Sequence, residues 1–303
     1  MTMKGTNLTR VGRRDLLKGM GIASVLPAAG WGTLKAEAAA SGTRNMQLSL
    51  AAYSVRRALT SGKMDLFGFI DWCAELGLEG TELTSYYFEE GFDSNYLRRL
   101  RNRAFRNGVT ISGTAVRNDF CKPPGPEKDE EIAALIRWID VASDLFAPHI
   151  RIFAGDVPEG ADKADAIRWT ADGIKAILGH AEKRGIFIGL ENHGGITTLA
   201  TDLLKICEAV GEHDWFGVNL DTGNFRMDPY AELKSVAHLA VNVQIKVEIT
   251  QGEESVPTDM TKIRDLLVDT GYKGWVALEY EAETDPFEAV PRYIAEMKKL
   301  FRS

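Results

Sequence analysis

From residue 46 onward, short runs of β-branched or apolar residues alternate with longer segments whose apolar residues recur at helical spacing. The runs are Met46 to Tyr53, Leu78 to Leu83, Val109 to Ala115, His149 to Ala154, Ile186 to Glu191, Phe216 to Asp221, Val241 to Val247, and Trp275 to Tyr280. Between them, Ile132, Leu135, Ile136, Ile139 and Phe146 mark one amphipathic helix, and Ile167, Ala171, Ile174 and Leu178 mark another. Leu76-Gly77, Asn107-Gly108, Arg184-Gly185 and Thr270-Gly271 each put glycine where a helix must stop before the next strand. Strand then helix, repeated eight times, predicts an α/β fold with a parallel sheet closed into a (β/α)8 TIM barrel over residues 46–303. An open doubly wound sheet is the rival, but no GxGxxG follows the first strand. The longer loops, Ser85 to Asn95 and Asn118 to Lys128, follow strands, on the side where barrels build active sites.

Four apolar strands end on polar residues: Ile186 to Glu191, Phe216 to Asp221, Asn242-Val243-Gln244-Ile245-Lys246, and Val276 to Glu279. Side chains alternate between barrel interior and helix layer, so Glu191, Asp221, Gln244 and Glu279 can converge on the axis. Carboxylates that close would repel and raise each other's pKa, which a divalent cation would relieve. Carboxylate and amide oxygens suit Mn²⁺ or Mg²⁺ better than Zn²⁺.

The segments Glu191-Asn192-His193-Gly194-Gly195, Asn219-Leu220-Asp221-Thr222-Gly223-Asn224, Asn242 to Lys246, and Ala277-Leu278-Glu279-Tyr280-Glu281 resemble the last four strand ends of the xylose isomerase-like sugar phosphate isomerase and epimerase family. In that family these strands carry a metal-binding Glu, Asp, His and Glu. The resemblance therefore implies one divalent ion held by Glu191, Asp221, Gln244 and Glu279. Gln244 stands where the family has histidine, and Asn224 where many members have another.

The other expected roles come with plainer alternatives. Glu191 and Glu279 are candidate base and acid, or structural acids paired with Arg151 or Lys246. Lys246 is a candidate catalytic cation beside an enolate oxygen, or the partner of Glu248 or Glu279. His193 is a candidate acid/base group or a turn residue. Arg151, Asn224, Glu82 and Tyr53 are expected to bind substrate, although Arg151 and Glu82 can equally pair with each other. Tyr86, Tyr87 and Phe88 are candidates for stacking on a sugar or for packing.

Gly12-Arg13-Arg14-Asp15-Leu16-Leu17-Lys18, the apolar stretch Gly19 to Leu34 and Ala36-Glu37-Ala38 resemble a twin-arginine export signal, so residues 1–38 are expected to be removed outside the cytoplasm, in the periplasm. The chain's formal charge of −7 includes six basic and two acidic residues there, leaving an acidic mature protein. Such a surface repels nucleic acid, and no later stretch is long and apolar enough to span a membrane. Cys73, Cys121 and Cys207 suggest neither a disulfide framework nor a thiolate metal site. The expected partner is a small sugar or keto-sugar; a homo-oligomer is left open.

Family and ligand set together imply proton abstraction beside a carbonyl through an enediolate, hence isomerisation or epimerisation. The same intermediate could expel a β-substituent, making a lyase or hydratase acting on a keto-sugar or keto-glycoside the alternative. A non-catalytic carbohydrate-binding barrel is another. The superfamily's endonuclease branch needs several zinc-binding histidines, and the chain has five in all.

Overall fold

The computed structural model describes residues 46–302, so the export segment expected over residues 1–38 lies outside the described residues. The strands are β1 (Gln47–Ala51), β2 (Gly80–Thr84), β3 (Thr110–Ala115), β4 (His149–Ile152), β5 (Phe187–Glu191), β6 (Phe216–Asp221), β7 (Ala240–Ile245), β8 (Glu248–Gln251), β9 (Glu254–Pro257) and β10 (Trp275–Leu278). The first seven and β10 form a closed, parallel, eight-stranded barrel in which β10 pairs with both β7 and β1. Each predicted run coincides with one of these strands, β2 and β7 each extending one residue beyond it. The hairpin β8–β9 was not anticipated; it pairs antiparallel after β7 and turns through Gly252, at φ 66°.

The helices are α1 (Arg56–Thr60), α2 (Leu66–Glu75), α3 (Ser94–Arg106), α4 (Pro126–Leu145), α5 (Lys163–Arg184), α6 (Ala200–Val210), α7 (Pro229–Val236), α8 (Met260–Asp269) and α9 (Pro286–Phe301). Their starts are chemically marked: the side chains of Asp65, Asp93, Asp162, Asp228, Asp259 and Asp285 accept from backbone N–H groups of the first turns of six helices. The four predicted glycine stops follow α2, α3, α5 and α8; Gly185 caps α5 at φ 71°, a conformation that disfavours a β-carbon.

One predicted helix position is corrected. Phe146 lies past the end of α4 at φ 60°, 69% exposed, with Arg101 over its ring, whereas the buried stripe of α4 is Leu135, Ile139, Ala142 and Leu145. The αL turn rotates the residue after the helix out of the helical phase.

Alternation along the strands separates two interiors. Leu48, Leu50, Ile150, Ile152, Ile188, Leu190, Val218, Leu220, Val243, Ile245, Val276 and Leu278 are all buried in the hydrophobic core that includes the helices. The opposite faces carry Ser49, Glu82, Arg151, Glu191, Asn219, Asp221, Asn242 and Gln244, buried with at most 4% exposure. Apolar packing between strands and helices thus stabilises the barrel, while its inside is built from polar groups that must satisfy one another. Among the described residues no helix is long and apolar enough to cross a membrane.

Candidate active site

Strand register brings the polar positions together. Arg151 lies opposite Gly189, Asn219 opposite Asn242, and Asp221 opposite Gln244, which in turn lies opposite Ala277. Since residues level with one another in a parallel sheet share a face, these side chains point inward, and the strands' C-terminal ends deliver them to one mouth. That mouth opens into a cleft of about 490 Å³, the size of a small-molecule site. Tyr53, Arg151, Glu191, His193, Lys246 and Glu279, all anticipated from sequence, line it.

Beneath the cleft lies a closed polar network. The Gln244 amide donates to Glu82 Oε1 at 2.7 Å, while its carbonyl oxygen accepts from Asn219 Nδ2 at 2.7 Å. Asn242 Nδ2 donates to Glu82 Oε2 at 3.1 Å and to Asn219 Oδ1 at 2.8 Å. Glu82 therefore sits 1% exposed among amides and does not line the cleft, where sequence reasoning had placed it as a substrate contact. Burial first, and the charge of Glu279 second, push its carboxyl up to about 7.

Above this network the three carboxylates meet two built-in cations. Arg151 Nε is 2.8 Å from Glu191 Oε2, and the Arg151 Nη1 donates to the Val116 carbonyl at 2.8 Å. Asn224 donates to Glu191 Oε1 at 3.2 Å, so it holds a carboxylate where a direct substrate contact was expected. Lys246 Nζ lies 2.5 Å from Glu279 Oε2, 2.8 Å from Glu281 Oε2 and 3.3 Å from Asp221 Oδ2. Asp221 Oδ1 accepts from the Gly223 N–H at 2.8 Å, and Asn192 exchanges two hydrogen bonds with the Asp221 backbone. Of the pairing alternatives, Glu191 with Arg151 and Glu279 with Lys246 are present, whereas Lys246 makes no ion pair with Glu248.

These environments set the carboxyls apart. Burial raises the Glu191 carboxyl well above the ordinary range, against the pull of Arg151. Burial likewise raises Asp221, to about 7, against the pull of Lys246. For Glu279 the balance reverses: burial pushes it up, but the Lys246 ammonium beside it leaves it lowered. Burial, then Arg151, lowers His193 to about 4, so its imidazole is neutral near pH 7. That ring lies 3.9 Å from Phe153, whose other neighbour is the Arg151 guanidinium, also 3.9 Å from the ring centroid.

The residues implied as metal ligands do converge, but their oxygens are otherwise engaged. The Gln244 carbonyl oxygen already accepts from Asn219, and Glu191 is paired with Arg151 and accepts from Asn224. Lys246 is the cation shared by Asp221 and Glu279. Among the described residues no group of three or more His, Cys, Asp or Glu side chains is arranged to hold a metal ion. Glu191 Oε2 and Asp221 Oδ2 accept no hydrogen bond, but each faces a resident cation, Arg151 Nε at 2.8 Å and Lys246 Nζ at 3.3 Å, so in this arrangement the donor set does not fit a divalent ion unless those cations move aside.

Sequence reasoning missed Arg117, Asn118, Asp119 and Asp156, which line the cleft from the segments after β3 and β4. Their signal was their position, immediately beyond two strand ends. Glu281, two residues past Glu279 and also in the cleft, was legible from the same parity. Of the aromatic candidates, Tyr86 lines the cleft, whereas Phe88 packs edge-on against Phe92, Tyr96 and Trp138.

Among solved structures, a D-psicose 3-epimerase determined in the presence of D-fructose superposes with a TM-score of 0.72 at 16% identity, covering 85% of this chain and 100% of that one. The D-psicose 3-epimerase of Clostridium cellulolyticum H10 with D-tagatose gives 0.69 at 15% identity, covering 85% and 100%. A probable 3-DHS dehydratase of Bacillus anthracis gives 0.63 at 16%, covering 84% and 99%. Identities this low establish the fold alone. None of the curated proteins matches the chain in sequence. The closed barrel, its polar mouth and a family match spanning residues 70–302 agree: the chain belongs to the xylose isomerase-like TIM barrel family.

Proposed function

We propose that the chain is a sugar isomerase or epimerase that moves a proton at a carbon beside a carbonyl, acting on a free sugar or keto-sugar outside the cytoplasm. The observation that carries this reading is the pair Glu191 and Glu279, both lining the cleft from strands separated by β6 and β7, with Lys246 beside Glu279. Two carboxyls approaching one carbon from different sides, one held ionised and the other protonated, form a base and acid couple. Glu279, kept low by Lys246, takes the proton from carbon. The carbonyl oxygen becomes an enediolate oxygen and accepts a hydrogen bond from the Lys246 ammonium. Glu191, kept high by burial, returns a proton to the opposite face or to the neighbouring carbon. Arg151 and Asn224 position Glu191, and Tyr53, Tyr86 and His193 offer ring faces and a neutral imidazole to sugar hydroxyls.

The resemblance implies a Mn²⁺ or Mg²⁺ ion as the electrophile. With these oxygens facing Arg151, Asn224, Lys246 and Asn219, the proton transfers are assigned to the chain's own residues. The test is incubation in heavy water with a panel of aldoses, ketoses and keto-sugars. One sugar should gain a single carbon-bound deuterium, and Glu191→Gln and Glu279→Gln should each slow that exchange by about a hundredfold or more. Undiminished exchange in both variants would remove the glutamates from the mechanism. An unsaturated product in place of an isomer would assign the enediolate to β-elimination.

A further inference from the structure

We infer that Lys246 is the resident cation of this site, taking the place of a divalent ion, so that the chain neutralises its own carboxylates and acts without a metal. The inference rests on the proton-transfer reading above, but a binding measurement decides it separately.

Lys246 is built into the site along its whole length. Its backbone N–H donates to Thr222 Oγ1 at 3.0 Å, and its carbonyl accepts from Thr258 Oγ1 at 2.6 Å. Its stem passes over Gly223, where a β-carbon would come within 2.5 Å of Lys246 Cγ, so the missing side chain at 223 is the space the lysine uses. The residue is 7% exposed, and its ammonium is surrounded by Asp221, Glu279 and Glu281. An ion bound to the same Asp221 and Glu279 oxygens would stand within a few ångströms of this ammonium, and like charges so placed repel strongly.

Gln244 supplies the second, independent observation. Imidazole at that position could give a metal its lone pair; the carboxamide instead spans Asn219 and Glu82 with both ends satisfied. The Gln244 amide is a strut for the network below the cleft, and the cation of the site stands two residues along, on Lys246.

The ammonium also keeps a donor for substrate. It has three N–H groups. Two serve Glu279 and Glu281 at 2.5 and 2.8 Å, while the contact to Asp221 is long, at 3.3 Å. A developing enediolate oxygen can take that third N–H, leaving Asp221 with its bond from Gly223.

The experiment is Mn²⁺ titration of the chelated, desalted protein, followed by electron paramagnetic resonance and thermal melting, on wild type and Lys246→Ala. Wild type should take up far less than one Mn²⁺ per chain, and its melting temperature should not respond to Mn²⁺. Lys246→Ala unpairs the carboxylates and should gain Mn²⁺ binding together with a Mn²⁺-dependent rise in melting temperature. Wild type retaining one Mn²⁺ per chain overturns the inference, as does a folded alanine variant that binds none. Should that variant not fold, the wild-type titration decides in the same sense. If no sugar exchanges deuterium, the proposed activity falls, while the Mn²⁺ result still settles the role of the lysine.

Discussion

His149 is a histidine whose setting only the barrel reveals. Both ring nitrogens lack a hydrogen-bond partner, and the ring is 4% exposed against Gly113 and Gly189, where β-carbons would lie 2.9 and 2.3 Å from its nitrogens. Burial, and then the nearby Arg151 charge, lowers its pKa from 6.5 to about 3. The native state therefore holds it neutral, while the unfolded chain takes up a proton as the pH falls through 6.5. Its contribution costs stability progressively below that value, by about 1.4 kcal/mol per pH unit and so about 2 kcal/mol near pH 5. Glu82 and Asp221, both raised to about 7, act in the opposite sense over much of that range, so the effect must be read as a difference. His149→Gln should lose less melting temperature than wild type between pH 7 and pH 5; parallel curves would refute the assignment.

At the level of elements, the turn after β6 and the end of β7 form one device. Asp221, Thr222 and Gly223 respectively face the ammonium, hold the backbone of Lys246 and clear its stem. Gly223→Ala would place its β-carbon 2.5 Å from Lys246 Cγ and 2.8 Å from Cβ, both close to a buried stem that cannot simply swing away. We expect a loss of about 1–3 kcal/mol in urea unfolding, together with weakened deuterium exchange. An alanine variant as stable and as active as wild type would show that the turn yields. Asn192 extends the device across β5 and β6, because its paired bonds with the Asp221 backbone lock the two strand ends that carry Glu191 and Asp221.

For the whole molecule, the arginine pair near the N-terminus carries the expectation about where the protein works. Arg13→Lys with Arg14→Lys conserves charge but removes the pair the export machinery reads, so the precursor should accumulate in the cytoplasm. Cell fractionation checks this, and mature protein appearing outside the cytoplasm at the wild-type level would count against a twin-arginine route. The barrel itself separates the stabilising apolar layer from the polar interior, so changes at the mouth are expected to leave most of the strand-to-helix packing intact.

Periodicity and punctuation determined the eight strands, the order of the barrel and the convergence of Glu191, Asp221, Gln244 and Glu279, because strand parity and glycine stops are local properties of the chain. The hairpin after β7 escaped because Glu248–Gln251 and Glu254–Pro257 are mostly polar and exposed, and the single buried Ile249 opposite Val256 is too little to impose a visible alternation. The partners inside the barrel were equally invisible. That Glu82 turns to Asn242 and Gln244 rather than to Arg151, and that Asn224 reaches Glu191, depends on distances between strands far apart in sequence. Sequence parity can bring an acid, an amide and a lysine to one barrel mouth. Which cation each oxygen meets is a matter of ångströms, and only the closed sheet decides it.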